Sequence, residues 1–378
     1  MKYPIGIQDF EDLQRNGYAY VDKTNFVYKL ADEGKYYFLS RPRRFGKSLF
    51  LSTLEAYFQG KKELFKGLAI YDLETEWKKY PIFHIDLNTA NFREKDSLYT
   101  ILNDYLTSWE DKYGARESEA TLALRFKGVI ARAAEKEGCG VVILIDEYDK
   151  PILQTLRDPE LQAEHRAQLK AFYSVLKTQD RYIKFAFLTG VTKFGKVSVF
   201  SDLNNLTDIS MDHRYISICG MTEKELLTNF KEGISELASA NEDNETETID
   251  KLRMRYSGYH FEENSEEIYN PFSVLNTLAN SRYDDYWFKT DTHPFLIDIL
   301  KIHDYCITDL SKAQIKANMM NNVDTNPIPV IYQSGYLTIK SYDERFKNYQ
   351  LGFPNKEVEN GILNILQPHD CKTVEMEC

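Results

Sequence analysis

Four short stretches of the chain are apolar almost without a break. They are Tyr36–Ser40, Pro81–Leu87 (PIFHIDL), Val141–Ile145 (VVILI) and Ile183–Leu188 (IKFAFL). Runs of this length and continuity predict strands buried on both faces, as in a parallel sheet. Between them lie segments with apolar residues at helical spacing. Ser48–Phe58 carries Leu49, Leu51, Leu54, Tyr57 and Phe58, and Thr121–Glu137 is amphipathic, with Gly138 placed to end it. Tyr215–Cys219 reads as a fifth strand. Strands separated by helices predict an α/β fold, a parallel sheet with helices on both faces.

Beyond Gly220 the pattern changes. Thr222 and Glu225 have capping-box spacing and open a helix. Ser235–Asp250 is acidic and polar and reads as an exposed helix end and loop. Aromatic-rich helical segments follow, with Asn270-Pro271 as a helix entry. From Pro327 onward the pattern predicts two strands joined by a charged turn at Ser341–Lys347. The expected organisation is a domain over 1–215, a helical lid over 216–305 and a small mixed α+β region with a β-hairpin over 306–378.

Length and composition narrow the class. The chain has 378 residues, 43% of them hydrophobic, which is enough for more than one core. A formal net charge of −11 argues against wholesale coating of nucleic acid but leaves room for a local basic patch. The five cysteines are scattered and form no C-x-x-C, as expected of reduced thiols, and make no zinc knuckle. The first 20 residues lack the apolar core of a signal peptide, and no apolar run reaches the roughly 20 residues of a membrane helix. The expectation is a soluble cytoplasmic protein without membrane contact.

The chemistry concentrates in RPRRFGKSL, residues 41–49. Gly46-Lys47-Ser48 has the ending of a phosphate-binding loop, between a predicted strand and a predicted helix. In such a loop backbone N–H groups wrap a phosphate at the helix N-terminus, the lysine meets the β- and γ-phosphates, and the hydroxyl ligates Mg²⁺. The cradle would run through Arg43, Arg44, Phe45, Gly46, Lys47, Ser48 and Leu49. The usual first glycine is replaced by Arg41, where Pro42 favours the extended backbone the turn needs. Roughly 100 residues on, Asp146 and Glu147 end the most apolar strand. Asp146 suits the metal and Glu147 suits a base that orients water. Asp149 with Pro151 suits a helix cap. Thr189 ends a strand that fits between the other two; it senses the γ-phosphate or positions water, or it simply terminates the strand before Gly190.

PIGIQDFEDL, GYAYVDKT, FLSRPRRFGKSLFLSTL, LIDEYDKPI, FLTGVTKF, YSGYHF…YNPFSVLN…YWF and YQSGYLTI…LGFPNKEV together resemble the bacterial AAA-ATPase-like family over nearly the whole chain. The family's own loop is R-P-R-R-F-G-K-S, so Arg41 follows the family pattern. The resemblance implies a P-loop NTPase fold of the AAA/STAND type, ATP and Mg²⁺ as ligands, Lys47 and Ser48 as phosphate and Mg²⁺ contacts, Asp146 as the metal carboxylate and Glu147 as the base. Tyr20–Thr24 (YVDKT) stands where segments that contact the nucleotide base often lie; Asp22 and Lys23 receive no role. Family members usually continue into a PD-(D/E)XK nuclease-like domain, which here is expected to be truncated. Glu76-Trp77-Lys78, in a polar segment expected to be helical, and Asp370-Cys371-Lys372 have the D/E-x-K form without a supporting strand, so no nuclease activity is expected.

Two function classes fit. One is an ATPase in which water attacks the γ-phosphate. The other is a nucleotide-gated switch that recruits DNA or a protein with little turnover. An arginine completing the site would come from Arg43, Arg44, Arg253 or Arg255, each of which also suits structural charge. The oligomeric state is open.

Overall fold

The computed structural model describes residues 1–193, 205–290, 294–303, 310–320 and 326–370. Its centre is a five-stranded parallel sheet in the order β2-β3-β4-β1-β5. The strands are β1 (Tyr36–Ser40), β2 (Ile82–Asp86), β3 (Val141–Asp146), β4 (Ile183–Gly190) and β5 (Thr207–Asp208). Side chains alternate between two cores. Tyr37, Leu39, Val142, Leu144, Phe185 and Phe187 face the helix Lys47–Phe58. Tyr36, Phe38, Ile143, Ile145, Ala186 and Leu188 face the helices Ser97–Tyr113, Leu122–Glu137 and Pro159–Thr178. Continuous apolar strands and two covered faces are thus the same fact.

The helix predicted from Thr121 forms as expected. Thr121 accepts from the Leu124 N–H, and Gly138 ends the helix in the left-handed conformation. The edge of the sheet differs from the expectation. Tyr215–Cys219 is not a strand: residues His213–Ile218 form 3₁₀ turns, started by the Asp212 side chain. The place beside β1 is held by Thr207–Asp208. The carbonyls of Tyr215 and Ile216 accept from the Arg41 guanidinium instead of from a strand.

The Thr222–Glu225 capping box forms, and a short antiparallel pair joins β6 (Met221–Thr222) to β7 (Ile268–Tyr269). The acidic stretch is more ordered than its composition predicts. A second capping box, Asn244 with Glu247, starts the helix Glu245–Tyr256, which buries Thr248, Leu252 and Tyr256. Asn270 caps the helix Pro271–Asn280. Met221, Leu226, Leu237, Leu252, Tyr256 and Val274 form a third core, with Tyr3, Ala19 and Val21 of the N-terminal segment packed on it.

After Pro327 a helix, Pro327–Gln333, precedes the predicted strand pair, now β9 (Thr338–Asp343) and β10 (Asn348–Gly352). A further strand, β8 (Gln314–Lys316), completes a three-stranded sheet in the order β8-β10-β9. The helix Lys356–Asp370 follows. The expected boundary near 305 lies outside the described residues, as do Cys371 and Lys372. Glu76-Trp77-Lys78 is not helical; the two charges pair with each other across a bend where Trp77 has φ 45°. Among the described residues no helix is long and apolar enough to cross a membrane.

Candidate functional site

Because β4 lies between β1 and β3, three strand ends meet at one edge of the sheet. Thr189 pairs with Leu39 of β1, and Leu188 with Ile145 of β3. The loop after β1 therefore opens beside Asp146, Glu147 and Thr189, at the carboxyl ends of parallel strands where α/β sheets bind ligands.

The loop is held by its neighbours more than by itself. Arg41 is 1% exposed. Its guanidinium donates to the carbonyls of Ser40, Ser210, Tyr215 and Ile216 and lies 4.0 Å from the Phe261 ring centroid. Burial pulls its pKa down to about 10, still far above neutrality. Phe45 points away from the cleft, edge-on to Tyr259 at 4.8 Å, and its carbonyl accepts from the Gly220 N–H. Gly46 has φ 93° and begins the helix; an L side chain is strained there. Arg44, with φ 68°, stacks 4.9 Å from the Phe272 ring centroid.

Lys47 is 4% exposed and fully engaged. Its ammonium donates to the carbonyls of Arg41 and Pro42 at 3.1 and 3.3 Å and lies 3.0 Å from a Glu147 carboxylate oxygen. Burial pushes the Glu147 carboxyl up, but Lys47 and then Arg43 outweigh it, and the group stays below the usual carboxylate range. Glu147 itself has φ 51°. Such a conformation in a non-glycine residue stores on the order of 1 kcal/mol or more and is characteristic of functional sites.

Asp146 behaves in the opposite way. Burial first, then the charge of Glu147, raises its pKa, against the Ser48 and Thr189 hydroxyls that donate to it. A buried carboxylate with a hydroxyl, Ser48, bonded to it offers two hard oxygen donors to a cation. Asp149 stands at the N-cap of the helix Lys150–Gln154, as expected, but its side chain makes no capping bond. Its carboxylate accepts from the N–H groups of Val191 and Thr192 and from the Thr192 hydroxyl, which ties the end of β4 to the loop after β3. Burial, then Glu147, pushes it up to about 6. The Gly190 position has no room for a Cβ, which would come 2.7 Å from Asp149 Oδ1.

Of these residues, Arg44, Gly46, Lys47, Ser48 and Glu147 line a cleft of about 450 Å³, while Asp146, Asp149 and Thr189 are buried beside it. Arg43, Arg44 and Gly46–Leu49 form one side, Asn88, Glu147, Lys150 and Gln154 another, and Pro271, Phe272, Leu275 and Asn276 a third, with residues 4–8 at the rim. A second, largely apolar hollow of about 90 Å³ adjoins it at Gly46 and Leu49. Tyr20, Val21, Phe50, Ile218, Gly220 and Phe230 line it, and the Lys23–Glu225 ion pair stands at its edge. Asp22 caps the next helix through the Thr24 N–H and also accepts from the Ala69 N–H. Arg253 pairs with Glu223 and Asp250, and Arg255 stands 3.8 Å from Asp285; neither lines the cleft. The wall from helix Pro271–Asn280 and the Ile218–Gly220 side of the hollow are not placed at the site by sequence reasoning, because neither carries a charge that marks phosphate chemistry.

A five-stranded parallel sheet with a Gly-Lys-Ser loop between β1 and its helix, and acids at the end of β3, defines a P-loop NTPase-like α/β protein. The chain belongs to the AAA-ATPase-like family, described as a predicted AAA-ATPase, whose model matches residues 4–200. It is 38% identical over 371 residues to an uncharacterized protein in the vnfD 5′ region of Azotobacter chroococcum mcd 1, covering 97% of this chain and 70% of that protein. No solved structure matches.

Proposed function

We propose that the chain binds ATP across the two adjoining hollows and hydrolyses it with water. The observation that carries this reading is that Lys47, Ser48 and Glu147 line one cleft, with the bonded, buried pair Asp146 and Thr189 at the adjacent strand ends and an apolar hollow next to it. The hollow suits a planar base, and the cleft, ringed by Arg43, Arg44, Lys47 and Lys150, suits a triphosphate. In this reading residues 216–305 act as a lid and 306–378 as a small C-terminal region.

Ser48 and Asp146 would hold Mg²⁺; a buried carboxylate beside a hydroxyl, both hard oxygen donors, supports that fit. When bound, the ion supplies charge neutralisation for the phosphates. The protein's own residues do the rest. Lys47 exchanges Glu147 for the β- and γ-phosphates. Glu147, so released, orients a water molecule and takes its proton as the water oxygen bonds to the γ-phosphorus. The bond to the β–γ bridging oxygen breaks, and ADP and phosphate leave. Thr189 holds Asp146 in place from the neighbouring strand, and Asp149 fixes the backbone just beyond Thr189.

The Lys47–Glu147 ion pair also favours a second reading. A base tied to the phosphate-loop lysine suits a switch that holds nucleotide and recruits DNA or a protein with little turnover. Phosphate release by the purified chain, with and without DNA, tests the two: multiple turnovers support the ATPase, and tight binding with negligible release supports the switch.

A further inference from the structure

We propose that Glu357, on the helix after β10, is a positioning residue for the nucleotide cleft, fixing both its third wall and the phosphate-loop backbone. The inference rests on the nucleotide reading above.

Glu357 is fully buried in the first turn of helix Lys356–Asp370. Its carboxyl accepts from the Ser273 hydroxyl, at 2.8 and 3.0 Å, and from the Trp287 backbone N–H at 2.7 Å. Both partners lead to the cleft. Ser273 follows Pro271 and Phe272, two residues of the third wall, and Phe272 stacks on Arg44. Trp287 donates its indole N–H to the Arg43 carbonyl at 3.2 Å. One carboxyl therefore sets the wall and, through the indole, the backbone of the loop.

The surrounding packing leaves little play. Asn355 accepts from the Val358 N–H and donates to the Ser257 carbonyl, which anchors the start of the helix. A Cβ at Gly361 would come 2.2 Å from the Phe288 ring, and one at Gly335 would come 2.7 Å from Pro42. The helix cannot slide without moving Trp287 and its neighbours. An acid buried this completely is costly unless its hydrogen bonds matter, and burial pushes the Glu357 carboxyl up to about 8, so it is held largely neutral at pH 7.

The test compares Glu357→Ala, Glu357→Gln and Trp287→Phe by equilibrium binding of a fluorescent ATP analogue and by steady-state hydrolysis, with circular dichroism as the check on folding. Lys47→Ala serves as the control for the nucleotide site. The inference predicts that Glu357→Ala weakens binding about tenfold and raises KM in step, with kcat within about threefold of wild type, because two buried donors lose their acceptor. Glu357→Gln keeps the acceptor and should bind within about threefold of wild type. Trp287→Phe keeps an aromatic ring, loses the bond to Arg43 and should also weaken binding. A folded Glu357→Ala protein with wild-type affinity, or wild-type affinity in Trp287→Phe if the alanine variant does not fold, overturns the inference while Lys47→Ala still fails to bind. A wild-type protein that binds no nucleotide overturns the underlying reading and this inference with it.

Discussion

Lys47 Nζ sits 3.0 Å from a Glu147 carboxylate oxygen, so the cation of the phosphate loop and the acid at the end of β3 neutralise each other across the floor of the cleft. With the Arg41 and Pro42 carbonyls, Lys47 has three partners, and this sets what substitution does at both ends of the pair.

Glu147→Gln should leave nucleotide binding intact or tighter, since Lys47 no longer has a competing charge to leave. Hydrolysis should fall by about 10²-fold or more, the scale of a general base. A malachite-green phosphate assay beside a binding titration measures both. Hydrolysis at the wild-type rate would move the base elsewhere.

Arg41→Gly restores the common loop glycine but should destabilise the protein. Four carbonyls lose their donor and Phe261 loses its stacking partner. Stability should drop by about 3 kcal/mol or more. Urea unfolding monitored by circular dichroism checks it, and an unchanged midpoint would contradict the anchoring role.

Asp149→Ala removes the acceptor for two backbone N–H groups and a hydroxyl at the end of β4. The loss should be on the order of 3 kcal/mol, with kcat falling more than nucleotide affinity because Thr189 loses its fixed position. Thermal melts and steady-state kinetics on the same preparation separate the two effects. Unchanged stability and kcat would leave Asp149 without a role.

Stability should depend on pH through Glu357. Its folded pKa, raised from 4.5 to about 8, means that the native state holds the proton more tightly than the unfolded chain. That contribution is fully present below about 4.5 and is lost as pH rises through about 8. Asp285 and Arg255 are the charged groups that act on it; Tyr256 and Tyr259, which also feel its charge, have raised pKa values and stay neutral across this window. Wild type should lose melting temperature between pH 5 and 8 relative to Glu357→Gln. Parallel curves for the two proteins would contradict the assignment.

What the sequence discloses follows from what each feature needs. β1, β3 and β4 are legible because burial on both faces demands unbroken apolar runs. Gly46-Lys47-Ser48 and Asp146-Glu147 are legible because phosphate chemistry demands those residue types beside a strand end. β5 is not, since Thr207 and Asp208 carry no apolar signal and pair with β1 only because the edge is free. Tyr215–Cys219 misleads because a short apolar run suits a 3₁₀ turn as well as a strand. The helix Glu245–Tyr256 hides behind its charge, although Asn244 and Glu247 mark its start. The ties from Glu357 to Ser273 and from Trp287 to Arg43 join residues 84 and 244 positions apart, and no local pattern reveals them.

The most direct measurement is equilibrium titration of the purified chain and its Lys47→Ala variant with a fluorescent ATP analogue in the presence of Mg²⁺. The account predicts saturable binding by the wild type, displaced by ATP, and none by a folded Lys47→Ala protein. Equal affinity in the two proteins, with circular dichroism showing both folded, would contradict the assignment of this cleft to a nucleotide.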